Sequence, residues 1–292
     1  MKKWYVDRGL EARMLFTMLL LALVYLVFLA FLAYMGTDTI FILVFAGGFL
    51  LIQYFYSDSL VLRSTGAKIV SESEAPELHE MIIRLCALAD IPKPRVAIVR
   101  SQIPNAFATG RNSRKAVVAV TTGILAQLNR DELEAVLAHE LSHIKNRDVM
   151  IMTIASFLST VAFFIVRNFF FFGTGNSDRK GGGLAAAFFA SVVVWIVSSL
   201  LIKALSRYRE FSADRGSALI TGRPSSLASA LMKISGNMSR VPKEDLRKVE
   251  GMNAFFIIPA LSGSLMNLLS THPPVEKRIA ALEKMEKGIE SF

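Results

Sequence analysis

The sequence predicts an α+β protein, predominantly helical, held in a membrane by four transmembrane helices and carrying a folded domain with a small β-sheet. Three observations predict this class. Four long apolar runs punctuate the chain. The segments between them show amphipathic helical and β-rich patterns. The composition is 53% hydrophobic, with a mean hydropathy of +0.45 over 292 residues. That is more apolar than a soluble protein of this size needs.

The apolar runs are 14–35, 40–56, 149–166 and 184–202. Each approaches the ~20 residues needed to cross a bilayer core. The first is too long for the apolar region of a signal peptide and lacks a small-residue cleavage site, so it is read as a retained anchor. Lys2, Lys3, Arg8 and Arg13 precede it, whereas the connection 36–39 has no Lys or Arg. Positive flanks stay in the cytoplasm, which places the N-terminus inside. The expected organisation is an N-terminal transmembrane hairpin (1–56), a first cytoplasmic part (57–148), a second membrane hairpin (149–202) and a second cytoplasmic part (203–292). The C-terminus is then also cytoplasmic. The loop 173–183 faces outward, although Arg179 and Lys180 run against the rule.

The net charge of +9 suits basic surfaces beside anionic lipid heads, so the expected partner is the lipid bilayer. No aromatic-interleaved basic stripe argues for nucleic acid. The single Cys86 excludes an internal disulfide, fits a reducing compartment and is read as a small core residue.

Within the cytoplasmic parts, 75–89 reads as an amphipathic helix entered through Pro76. Segments 95–100 and 116–121 read as strands, with 104–110 joining them and 111–115 as a turn. Residues 225–235 look helical, and Pro274 opens a last amphipathic helix through about residue 286. The Phe-rich 169–172 and Gly-rich 181–183 fit a membrane interface and a flexible turn better than a site. No internal repeat is present.

The strongest chemical signal is His139-Glu140-Leu141-Ser142-His143, which reads H-E-x-x-H. Asn129 followed by Glu132 forms a capping box that starts a helix there. Leu133, Val136, Leu137, Leu141 and Ile144 then mark a buried stripe, and both histidines border it. One helical turn separates the imidazoles, so both can reach one zinc ion. Glu140 is placed to take a proton from an activated water. The alternative is two core histidines with satisfied hydrogen bonds. A carboxylate between two half-buried histidines is costly without a task, which favours the metal reading.

A catalytic zinc needs a third protein ligand and one open position. Asn146 and Val149 stand where a third-histidine motif would need Gly and His, so the ligand must come from elsewhere. Glu210, just after the fourth apolar run, is the best candidate. Asp214, one turn on, can hydrogen-bond the distal nitrogen of a zinc-bound histidine. The competing reading of both residues is a solvated charged helix face. An antiparallel membrane hairpin would bring its two cytoplasmic ends together, with both ligand sets on the order of 10 Å above one membrane face.

Four motifs in order carry a resemblance: Asn105-Ala106-Phe107-Ala108-Thr109-Gly110, Leu137–His143, Arg209-Glu210-Phe211-Ser212-Ala213-Asp214, and Ser270-Thr271-His272-Pro273-Pro274. Over nearly its whole length the chain resembles the HtpX membrane proteases, zinc metallopeptidases related to the CAAX prenyl proteases. The resemblance implies a gluzincin-type core, one zinc ion bound by His139, His143 and Glu210, and Glu140 as the catalytic base. It also implies the cytoplasmic (inner) membrane of a prokaryote and a stress-related quality-control role. The implied substrates are misfolded or damaged membrane proteins and unfolded polypeptides.

Within that frame His272 is the candidate second donor to the oxyanion, its alternative being a structural role before two prolines. Asn105 is the candidate substrate-binding residue, beside a segment able to accept substrate as an added strand; its alternative is a turn asparagine. His79 is read as a surface residue. A transporter would carry ionisable groups inside its spans, and almost none are present. A non-catalytic zinc scaffold could dispense with Glu140. A CAAX-type prenyl-protein protease is expected to have more spans than this chain.

Overall fold

The computed structural model describes residues 7–34, 44, 47–48, 51–52, 54–55, 61–172, 181–238 and 272–290. In chain order the principal elements are α1 (Arg8–Tyr34), β1 (Lys68–Ile69), α2 (Pro76–Ala89), β2 (Arg95–Val99), β3 (Ala106–Thr109), β4 (Val117–Thr121), α3 (Thr122–Gln127), α4 (Arg130–Lys145), α5 (Asp148–Phe172), α6 (Gly181–Thr221), α7 (Pro224–Met238) and α8 (Val275–Glu290). They fall into two units. One draws on Phe55–Met150 and Ser206–Phe292, the other on Val6–Tyr54 and Ile151–Leu205.

The second unit is built from apolar helices. Leu21, Tyr25, Phe28 and Leu32 of α1 pack with Ala155, Ala162, Val194 and Leu205. The Tyr25 hydroxyl donates to the Ala155 carbonyl at 2.6 Å, which satisfies its one polar atom. The outer faces are equally apolar: Leu15, Phe16, Leu19, Leu23, Leu26, Phe189, Val193 and Ile196 are exposed. A helix hydrophobic all round needs an apolar surrounding. Two described helices, Arg8–Tyr34 and Ala185–Thr221, are long and apolar enough to cross a membrane. Of the other two expected spans, 149–166 lies within α5, which contains a shorter apolar stretch, Asp148–Phe157. The run 40–56 lies largely outside the described residues, as does most of the expected outer loop.

The first unit holds a mixed four-stranded sheet in the order β1-β2-β4-β3. β2 and β4 pair in parallel, while β1 and β3 pair antiparallel at the edges. β4 is buried along its whole length. Val118 and Val120 enter the main core, while Val117 and Ala119 join Ala97, Val99, Phe107 and Val61 on the other face. A continuous apolar run in a central strand reflects burial on both sides.

Two expectations are corrected here. Segment 104–110 is not a simple connection, because Ala106–Thr109 forms the edge strand β3, in register with Val117–Val120. Gly110 turns the chain back with φ +117°, where an added Cβ would meet the Lys115 carbonyl at 2.6 Å. His79 is not on the surface. It is buried on the inner face of α2 with Leu78, Ile82 and Cys86, and its Nε2 donates to the Val70 carbonyl at 3.1 Å.

The anticipated capping box starts α4: Asn129 Oδ1 accepts from the Glu132 amide at 2.9 Å, and Glu132 Oε2 accepts from the Asn129 amide at 3.0 Å. Its stripe, Leu133 to Ile144, lies in the core against α2, α7 and β3. The lower part of α6 runs antiparallel to α4. Asn146 Nδ2 donates to Ser212 Oγ at 3.3 Å, and Ser217 Oγ donates to the Ala135 carbonyl at 2.6 Å. Between these contacts Gly216 faces Ser142. A Cβ at Gly216 would collide with Ser142 Oγ and stand 2.7 Å from its Cβ. Glycine here sacrifices about 1 kcal/mol of helix propensity for a close helix approach.

Gly216→Ala tests that approach. Overpacking is expected to cost about 1–3 kcal/mol, exceeding the propensity gain. Ser142→Gly in the same chain should recover part of the loss. Thermal unfolding of the two single variants and the double variant in detergent measures the coupling, and strictly additive effects would show that the two residues do not constrain each other.

Candidate metal centre

All the groups below belong to the first unit. α4 presents His139, Glu140 and His143, and the lower part of α6 presents Glu210 and Asp214. His139 Nε2 and His143 Nε2 stand 3.1 Å apart. Glu210 Oε2 lies 3.7 Å from the first, and Glu210 Oε1 lies 3.5 Å from the second. The three ligand atoms are all within 4.8 Å of one another.

The other imidazole nitrogens fix the tautomers. His139 Nδ1 lies 3.0 Å from Asp214 Oδ1, and His143 Nδ1 donates to Asp148 Oδ2 at 2.6 Å. Each Nδ1 therefore carries the proton and each Nε2 a lone pair. Two lone pairs and a carboxylate pointed at one another repel, and a cation among them reverses the sign. A tetrahedral ion with bonds of about 2.0–2.1 Å holds its ligand atoms about 3.3 Å apart, close to the spacings here.

Charge balance agrees. Around the imidazoles, Glu140, Asp148, Glu210 and Asp214 are buried carboxylates, and Arg209 and Arg278 are buried guanidiniums. Four carboxylates against two guanidiniums make the cluster acidic, which favours a cation. The donor set of two imidazoles and one carboxylate suits such an ion.

Glu140 is almost fully buried. Burial pushes its carboxyl above the ordinary range, against the pull of His139 and His143, while Glu210 adds to the rise. Its carboxylate accepts the Ala108 amide of β3, which links α4 to the sheet edge. His272 Nδ1 lies 3.1 Å from Glu210 Oε2, beside the ligand cluster. Asn105 is buried just before β3; its amide donates to Thr121 Oγ1 at 2.9 Å and its carbonyl accepts the Thr121 amide at 2.9 Å. The structure thus gathers His139, Glu140, His143, Glu210, Asp214 and His272 in one place, with Asn105 at the entrance to the adjoining strand.

Three neighbours were not anticipated. Arg278 of α8 grips Asp214 with two bonds, Nη2–Oδ1 at 2.6 Å and Nε–Oδ2 at 2.9 Å, and its Nη1 is 3.3 Å from Glu210 Oε2. Burial disfavours its charge, but Asp214 and Glu210 more than compensate and hold it more firmly protonated than an ordinary arginine. Asp148 backs His143, and Arg209 pairs with Asp148. An arginine four residues after Pro274 carries no motif of its own. Its only sequence signal is an apolar-face position, beside Ile279 and Leu282, where a free charge would be costly.

The sequence model described as Peptidase family M48 matches residues 72–286. Protease HtpX homolog 2 of Methanosarcina mazei is 69% identical over 289 residues, covering 98% of each chain. Protease HtpX homolog of Moorella thermoacetica is 58% identical over 289 residues, covering 97% of each. Among solved structures, the crystal structure of S. mikatae Ste24p aligns with a TM-score of 0.56 at 18% identity, covering 94% of this chain and 67% of that one, a likeness of fold. The chain belongs to peptidase family M48, among the HtpX protease homologues.

If the cluster holds a metal, Glu210→Ala should lose it altogether. Asp214→Ala should still bind, about 10–100-fold more weakly, as changes behind a ligand usually do. Metal content by elemental analysis and affinity by chelator competition separate the two outcomes. Wild-type affinity in Glu210→Ala would move the third ligand elsewhere.

Proposed function

We propose that this family M48 member is a zinc-dependent membrane endopeptidase that cleaves peptide bonds in misfolded or damaged membrane proteins at the cytoplasmic face of a prokaryotic inner membrane. The observation that carries the proposal is the convergence of two imidazoles and the Glu210 carboxylate beside a buried Glu140. In it, His139, His143 and Glu210 hold the zinc. When bound, zinc supplies Lewis acidity for activating water and polarising the scissile carbonyl.

The chain's own residues do the rest. Glu140 accepts the proton of the attacking water and returns it to the leaving amine. Its raised proton affinity, caused first by burial, suits both halves of that exchange. His272, buried beside Glu210, is the donor for the developing oxyanion. β3 ends the sheet, and Ala108 on it reaches Glu140, so an extended substrate laid along that edge would pass the catalytic carboxylate. Asn105 enters that edge and would help hold the substrate backbone.

The names of the HtpX relatives support protease activity, and the two long apolar helices support a membrane setting. The substrate class and the cytoplasmic orientation rest on the sequence arguments of family resemblance and positive flanks.

Glu140→Gln is expected to keep zinc and lose nearly all cleavage of a membrane-protein substrate, because an amide preserves the shape but cannot take the proton. Self-cleavage of the wild type during purification should vanish in the same variant. Substantial remaining activity would remove Glu140 as the base.

Orientation has its own test. With Cys86, which is buried in the core, replaced by Ala, a cysteine at Asn176 should react with an impermeant thiol reagent in intact cells. Cysteines at Asn112 and Phe292 should react only after the membrane is broken. Labelling of Asn112 and Phe292 from opposite sides would contradict a shared metal site.

A further inference from the structure

The His143 side of the cluster is braced by a pair that the proposed mechanism does not use. Asp148 is 6% exposed and its Oδ2 accepts from His143 Nδ1 at 2.6 Å. Its other oxygen pairs with the guanidinium of Arg209, which is 3% exposed. Arg209 Nη2 also donates to the Asn146 carbonyl at 3.1 Å, at the C-terminus of α4. Arg209 immediately precedes Glu210 on α6.

The backbone makes this reach possible. His143 and Asp148 are five residues apart, a spacing that does not share a helix face. α4 stops at Lys145, and Arg147 takes φ +56°, the left-handed region that non-glycine residues enter rarely. That residue reverses the local course, and Asp148 opens α5 with its carboxylate on the imidazole.

We infer that Asp148, clamped by Arg209, is a positioning residue for the metal centre: it fixes the tautomer and orientation of His143, as Asp214 with Arg278 does for His139. Each ligand histidine is then backed by a carboxylate, and each carboxylate by a buried arginine. Because Arg209 and Glu210 are consecutive, one turn of α6 sets the third ligand and the support of the second together. A shift of that turn would disturb both at once. The simpler role for Asp148 is a negative charge in the first turn of α5, favourable at any helix start.

The inference rests on the metal reading above, and the experiment separates the two. Zinc affinity is measured by chelator competition on the full-length protein in detergent, with cobalt substitution reporting ligand geometry by visible absorption. Asp148→Ser keeps a small polar side chain at the helix start but cannot reach the imidazole. It is expected to bind zinc about 10–100-fold more weakly, with a shifted cobalt spectrum and little change in the unfolding temperature of the zinc-free protein. Asp148→Glu keeps the charge at the helix start but displaces the carboxylate by one methylene, and should also stay well below wild type. Arg209→Met should weaken zinc alone yet add little to Asp148→Ser, since both remove the same support. Wild-type affinity and spectrum in Asp148→Ser, or full recovery in Asp148→Glu, would reduce Asp148 to a helix-start charge. Absence of zinc binding by the wild type would overturn the metal reading itself.

Discussion

Two imidazole Nε2 atoms 3.1 Å apart, both facing a carboxylate, form an arrangement that a cation among them stabilises. Much of the surrounding structure serves to enforce it. The backing carboxylates fix which nitrogen is bare, and the guanidiniums behind them keep those carboxylates charged and oriented away from water. Burying so many charges without partners would be prohibitive. Here each backing carboxylate meets a guanidinium, and the cluster as a whole stays acidic.

The same arrangement explains how one helix can supply a base next to its ligands. Glu140 shares the cluster's burial and feels Arg278 through its field, whereas Glu210 and Asp214 lie in direct contact with that guanidinium, at 3.3 and 2.6 Å. The difference sets carboxylates of one family of residues to different tasks: those paired with cations stay ionised, while the one left to burial gains affinity for a proton. Its link to the Ala108 amide sets that carboxylate beside the edge strand β3.

What the sequence revealed of this site follows from how local each signal is. The α4 capping box and stripe, the one-turn histidine spacing and the Glu210–Asp214 spacing are all written within a few residues, and each was legible. β3 was missed because four residues with two alanines carry little alternation, and its identity comes from pairing with β4. His79 was missed because a histidine on an amphipathic helix reads as polar, whereas the Val70 carbonyl that its Nε2 meets is supplied by a neighbouring strand end. Asp148 is five residues from His143 and reaches it only through the positive φ of Arg147, which no periodicity announces. Arg278 is sixty-four residues from Asp214, a pairing set by tertiary structure alone.

The register of α6 against α4 is the last requirement. On a helical wheel, Glu210 and Asp214 lie to one side of the contact stripe and Ser212 and Gly216 to the other. The second pair is small and hydrogen-bonding, so it sets how near and at what rotation the helix sits, while the first carries the chemistry. A turn of α6 by one residue, about 100°, would present Phe211 or Arg209 to the imidazoles in place of Glu210. The Asn146–Ser212 and Ala135–Ser217 hydrogen bonds oppose that rotation, and the missing side chain of Gly216 allows the approach that makes them possible. Which carboxylate α6 presents to the imidazoles is therefore a consequence of small residues on its neighbouring face, and the His139–His143–Glu210 cluster depends on a glycine outside it.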